Sequence, residues 1–279
     1  MPRLLYIASL PHSGSTLLSL MLGQHPQVIG LGGVDRAVQM LIAEPEKTGE
    51  RRCTCGALTR DCPYWGLVAA KIPEKKPVSV IERYRLALDL FAEVFGDQAW
   101  PVDAGQIKEP LYTLAGQKWL DLRVVHLARD VRSSMISEID SRRRKHRGSR
   151  LNIIVAMTAA LRWWRENEKL VACLQETRLP NRLLGYEEIC LGFPEVFSGI
   201  YEFLGLKPVP MSASVPRPNS HMFIGNRMRE QEEKSNLKYD GRWLTRREWL
   251  PPCLLLPFLL SRNRRWVYAN NVFSVFTRQ

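Results

Sequence analysis

The sequence predicts an α/β fold of three layers, a central parallel sheet flanked by helices. Two observations predict it. Strand-like runs at residues 4–10, 100–103, 123–127 and 182–185 alternate with segments of helical spacing, notably 78–95 and 152–174. Alternating strands and helices imply βαβ units and a parallel sheet. The first run, LLYIASL, also passes straight into Pro11-His12-Ser13-Gly14-Ser15-Thr16-Leu17-Leu18, which reads as strand, tight turn and helix. In such sheets ligands bind beyond the C-terminal strand ends.

That first turn is the most informative stretch. It places one glycine and three hydroxyl residues at a helix start, where N–H groups lack partners and the helix dipole favours anions. Ser and Thr add donors to phosphate oxygens, and Gly14 permits close backbone approach. It is not a Walker A loop, because no Lys precedes the hydroxyl pair. The plainer alternative is an ordinary turn with Ser15 or Thr16 as N-cap. The run at 122–127, LRVVHL, likewise delivers Arg129 to a turn, with Ser137 two helical turns on. An Arg fork and a Ser hydroxyl suit a phosphate monoester; the alternative is a surface Arg beside an N-capping Asp130.

Length and composition fit one domain, residues 1–279, with ample apolar residues at 45% for a core. A Cys-containing segment is inserted at about 44–76, and an apolar segment closes the chain at about 249–279. The formal charge of +12 suits an anionic ligand. Its densest cluster, residues 141–147, has no interleaved aromatics, so no nucleic-acid partner is expected. Cys53, Cys55 and Cys62 look like an incomplete zinc site or a local disulfide; no fourth ligand is obvious by spacing. Cys173, Cys190 and Cys253 read as core thiols. No secretory signal is convincing, and a cytoplasmic protein is expected. The apolar run 250–260 is too short and too Pro-broken to span a membrane. It reads either as a buried terminal helix or as an interfacial patch giving peripheral contact with a membrane or a lipid-linked acceptor.

The turn resembles the phosphosulfate loop of the sulfotransferases that use 3′-phosphoadenosine 5′-phosphosulfate (PAPS), in the branch reading P-R-S-G-S-T-L-L. His25-Pro26 follows at the family's distance. Arg129 and Ser137 keep the spacing of its 3′-phosphate motif, with Val131 where Pro is usual. Trp163 with Asn167, the stretches 183–188 and 203–206, and His221 with Gly225-Asn226-Arg227-Met228-Arg229 match weaker family features, as do Cys53-Thr54-Cys55-Gly56 and Asp61-Cys62-Pro63-Tyr64-Trp65. The matches run from about residue 3 to 230.

The resemblance implies a P-loop-like sulfotransferase fold and transfer of a sulfuryl group from PAPS to an acceptor hydroxyl on a sugar, lipid or small metabolite. PAP would be the product, and no metal is expected. It implies donor binding by His12, Ser13, Gly14, Ser15, Thr16, Leu17, Arg129 and Ser137, with Asn226 and Arg229 closing over the nucleotide. His12 stands where the family has Arg or Lys, and carries charge only when protonated. Gly33 occupies the family's usual Glu position. Asp35 is the nearest carboxylate and the first candidate base, although it also suits the start of a helix. Asp103 and Glu109 are the fallbacks, and Lys108 adds positive charge nearby. Two rival classes remain: a nucleotide or small-molecule kinase using the same loop, and a non-catalytic basic protein that binds nucleic acid or membrane.

Overall fold

The computed structural model describes residues 1–73, 79–105, 108–145, 152–215, 219–225 and 235–269. The chain starts with β1 (Arg3–Ser9), α1 (Ser15–Leu22), β2 (Val28–Gly32) and α2 (Val34–Ala43). The inserted segment holds α3 (Pro45–Gly49) and α4 (Trp65–Ala70). Next come α5 (Val80–Phe95), β3 (Trp100–Asp103), α6 (Lys108–Ala115), β4 (Asp121–Ala128), α7 (Val131–Lys145) and α8 (Asn152–Thr177). The rest comprises β5 (Asn181–Gly185), α9 (Tyr186–Leu191), α10 (Glu195–Phe203), the small antiparallel pair β6 (Ser214–Val215) and β7 (Ser235–Asn236), α11 (Leu250–Leu255) and α12 (Phe258–Val267).

Five parallel strands lie in the order β2-β3-β1-β4-β5. Side chains alternate across a strand, so β1 feeds two cores. Leu4, Tyr6 and Ala8 join α2, α5 and α6 on one face; Leu5 and Ile7 join α1 and α10 on the other. This is why the run is apolar throughout rather than alternating. A third cluster packs α7 and α8 against α11 and α12. Helix α5 begins where Ser79 caps Glu82 N and Glu82 returns to Ser79 N, a full capping box.

β2 escapes the strand-like runs read from the sequence. Its five residues, VIGLG, carry two glycines, which weaken any strand signal. A Cβ on Gly30 would sit 2.7 Å from Ser19 Oγ, so the glycine lets α1 lie close. Gly32 has φ +75°, and the register with β3 shifts there.

The C-terminal segment departs from a simple buried helix. α11 and α12 bury Cys253, Leu259 and Trp266, yet Leu254 and Leu255 are 76% and 70% exposed. No helix among the described residues is long and apolar enough to cross a membrane.

Candidate active site

The β1–α1 turn is shaped by two left-handed residues, His12 (φ 70°) and Gly14 (φ 94°). No side chain caps α1, and no acidic residue lies in its first turn. The first intrahelical bond runs from Leu18 N to Gly14 O at 3.0 Å, so the N–H groups of the preceding turn have no helical acceptor. Gly14 is packed under Tyr186: a Cβ there would meet the ring at 2.5 Å. Pro11, His12, Gly14, Ser15, Thr16 and Leu17 all face one cleft of about 1140 Å³. Ser13 is buried behind the turn and is not among the residues facing the cleft.

Arg129 arrives at the same cleft from the C-terminal end of β4. Its Nη1 donates to the His12 carbonyl at 2.6 Å, its Nη2 pairs with Asp240, and its guanidinium stacks 4.6 Å from the Tyr186 ring centre. Its Nε is buried and has no hydrogen-bond partner. A buried donor of this kind is costly unless something accepts from it. Behind Arg129, Trp163 Nε1 donates to its carbonyl at 2.8 Å, Asn167 Nδ2 donates to the Trp163 carbonyl, and Asn167 Oδ1 meets His126 Nε2 at 2.9 Å. The Trp163 and Asn167 spacing therefore locks α8 onto the end of β4. Asp130, turned away from the cleft, accepts from Arg132 N, Asn263 and Tyr268. Ser137, one face of α7, lines the cleft and accepts from Arg242 at 3.2 Å.

Five arginines line this cleft, Arg36, Arg51, Arg129, Arg144 and Arg242; among the described lining residues there is no carboxylate. The family model described as "Sulfotransferase family" matches residues 3–210, which hold both the turn and Arg129.

The chain belongs to the sulfotransferase family.

Among solved structures it is similar to the sulfotransferase domain from the curacin biosynthetic pathway, at 17% identity and a TM-score of 0.50, over 75% of this chain and 76% of that one. A second likeness is the sulfotransferase domain from the Synechococcus PCC 7002 olefin synthase, at 17% identity and a TM-score of 0.46, over 94% of this chain and 87% of that one. No curated protein matches the chain. At this identity the first likeness bears on the fold alone, and it agrees with the parallel sheet between helical layers.

For this sulfotransferase-family chain the sequence-predicted catalytic residues separate. His12 lines the cleft, with Nε2 3.9 Å from Glu138. Burial, helped by Arg129, Arg162 and Arg144, lowers the imidazole below its ordinary value despite Glu138. Asp35 does not line the cleft. Its carboxylate is buried in an ion pair with Arg83 Nε at 2.7 Å and accepts from Gln39 at 2.7 Å. Asp103 lies under the cleft floor formed by Gly33, Ala104 and Gly105. It accepts from Tyr84, from Gly105 N at 2.6 Å and from Val34 N at 3.2 Å, where it caps α2 across the sheet. Burial pushes its carboxyl up to about 7, against those hydrogen bonds. Gly33 packs on Gly105, where a Cβ would find the Gly105 Cα at 3.1 Å; this wall has no room for the family's Glu without a shift. Lys108 opens α6, and its side chain lies outside the described residues, as do Asn226 and Arg229. The sequence reading missed Arg36, Arg51 and Arg242 as cleft residues, and missed Asp240 on Arg129. Only the fold brings these together from separate elements.

Proposed function

We propose that the protein transfers a sulfuryl group from PAPS to an acceptor hydroxyl. The observation that carries this reading is one cleft lined both by a helix start without a side-chain cap and by Arg129, whose buried Nε is unsatisfied, and Ser137. The helix-start N–H groups and the hydroxyls of Ser15 and Thr16 suit the 5′ phosphosulfate, while the Arg129 fork and Ser137 suit the 3′-phosphate. In the transfer, the acceptor oxygen bonds to sulfur as the bond from sulfur to the bridging phosphate oxygen breaks, and the hydroxyl proton goes to a base. The arginines and loop N–H groups are fixed in place to receive the charge that develops on the sulfuryl oxygens and the leaving phosphate. Neither candidate carboxylate lines the cleft: Asp35 is committed to Arg83, and Asp103 is fully buried beneath Gly33, Ala104 and Gly105, where it accepts from Tyr84, Gly105 N and Val34 N. A kinase reading is disfavoured by the donor set, since the described cleft lining offers no carboxylate to hold a phosphate-bound Mg²⁺. Incubation with ³⁵S-labelled PAPS and fractionated sugar, lipid and metabolite acceptors tests the proposal. Label passing to a hydroxyl with release of PAP supports it; ATP-dependent phosphate transfer instead refutes it.

A further inference from the structure

The inserted segment brings its three cysteines to one point, and the fold adds a residue from 159 positions downstream. Cys53 Sγ and Cys62 Sγ are 3.7 Å apart, and Cys62 Sγ is 3.2 Å from His221 Nδ1. With Cys55, the four ligand atoms all lie within 4.8 Å of one another. Two sulfurs on one tetrahedral zinc, each at about 2.3 Å, stand about 3.8 Å apart. We propose that Cys53, Cys55, Cys62 and His221 form a structural zinc site that clamps the inserted segment to the loop carrying His221.

The backbone around the cluster is built for this. Residues 53–57 make a tight knuckle: Cys53 N donates to Ala57 O at 2.9 Å, Gly56 N donates to Cys53 O at 3.0 Å, and Gly56 has φ +97°. The knuckle turns Cys53 and Cys55 toward the same point. Cys62 opens the turn before α4 and accepts from Trp65 N at 3.4 Å, the kind of N–H to sulfur contact that steadies a thiolate ligand. His221 is held on both sides. Its carbonyl accepts from Trp65 Nε1, and its neighbours Ser220 and Met222 donate to Thr54 Oγ1 at 2.8 and 2.9 Å. Its ring also rests against Phe95 at 5.2 Å. Cys53 and Cys62 are buried and Cys55 is exposed, so the site is closed on the protein side and reachable from solvent. Three sulfurs and one imidazole nitrogen are a donor set that selects zinc over the oxygen-seeking cations. Four protein ligands leave no open position, so the role is structural.

None of the four residues lines the cleft, so the proposed zinc lies apart from the proposed transfer. The clamp acts at one remove: Met222, Ile224 and Gly225, just beyond His221, line the cleft, as does Arg51, just before Cys53.

The test is metal content of the full-length chain purified under reducing conditions without chelator. One zinc per chain by mass spectrometry is expected, with all six cysteines titrating as thiols after denaturation and chelation. Cobalt exchanged into the site should give sulfur-to-metal charge-transfer bands and the intense visible bands of tetrahedral coordination. Cys55→Ser changes the exposed ligand and should shift these bands and weaken zinc retention. His221→Cys should keep one zinc and strengthen the charge-transfer bands, which separates ligation from mere folding. Hydrogen exchange at 52–56 and 219–225 should rise together on chelation. A reduced wild-type chain that carries no zinc and takes up no cobalt overturns the proposal. So does a Cys53–Cys62 disulfide, seen as four titratable thiols instead of six.

Discussion

Replacing Arg129 by Ala should weaken binding of PAP far more than binding of AMP. Arg129 is 9% exposed, its Nε lacks a partner, and its fork already spans the His12 carbonyl and Asp240. A hydrogen bond between charged groups contributes about 1.5–3 kcal/mol, which is roughly 10- to 150-fold in dissociation constant. Losing the tether to His12 disturbs the loop for both ligands; only PAP also loses the 3′-phosphate contact. The ratio of the two losses therefore isolates that contact. Isothermal titration with PAP and AMP reads it directly, and Arg129→Lys, which keeps charge but not the fork, should fall between. Asp240 adds a second arm. Burial would raise its carboxyl, but Arg242 and Arg129 outweigh burial and hold it down at about 2, so it is a fixed negative charge on the proposed phosphate site. Asp240→Asn should tighten PAP binding. Equal losses for PAP and AMP in Arg129→Ala would show that Arg129 only supports the loop, and would refute the assignment.

Gly14→Ala should abolish measurable PAP binding and lower the melting temperature, because the methyl meets Tyr186 at 2.5 Å on a left-handed backbone; thermal shift with and without PAP checks both. Asp103→Asn and Asp35→Asn should both cost stability while leaving PAP binding intact, since neither carboxylate lines the cleft; thermal melting and PAP titration check this. The same Asp103 variant carries a pH signature. A carboxyl raised from about 3.9 unfolded to about 7 folded binds more protons in the native state, so wild-type stability falls as pH rises across that window, by up to about 1.4 kcal/mol per pH unit. Glu187, also pushed up to about 7 by burial, adds the same sign. Urea denaturation from pH 4 to 8 should show a shallower decline in Asp103→Asn; an unchanged slope removes Asp103 as its source. For His12, kcat/KM should fall as pH rises through a midpoint below the ordinary histidine value, and His12→Arg should flatten that fall; matching profiles would take His12 out of the chemistry.

The parts legible in the sequence are those fixed by local pattern. The β1 run, the turn after it, the 123–127 strand and the long helices α5 and α8 all appear where spacing places them. Arg129 and Ser137 both line the cleft. What the sequence hid depends on contacts between distant segments. Gly30 and Gly32 silence β2 because they serve the approach of α1 and a bulge, not strand propensity. Asp35 looked available because its partner, Arg83, is 48 residues away. His221 resembled the start of a nucleotide-closing loop, and its proximity to the cysteines appears only when the chain is folded. Arg36, Arg51 and Arg242 carry no motif, and their common cleft is a product of topology.

The bond from Arg129 Nη1 to the His12 carbonyl has a consequence for how this loop can vary. The path of the turn is held through a main-chain oxygen, which every amino acid supplies. The side chain at position 12 is thereby decoupled from loop shape, apart from its tolerance of φ 70°. A histidine where the resembled loop has arginine or lysine then changes the charge at the cleft wall while the turn keeps its path, so acidity and loop shape can vary independently at position 12.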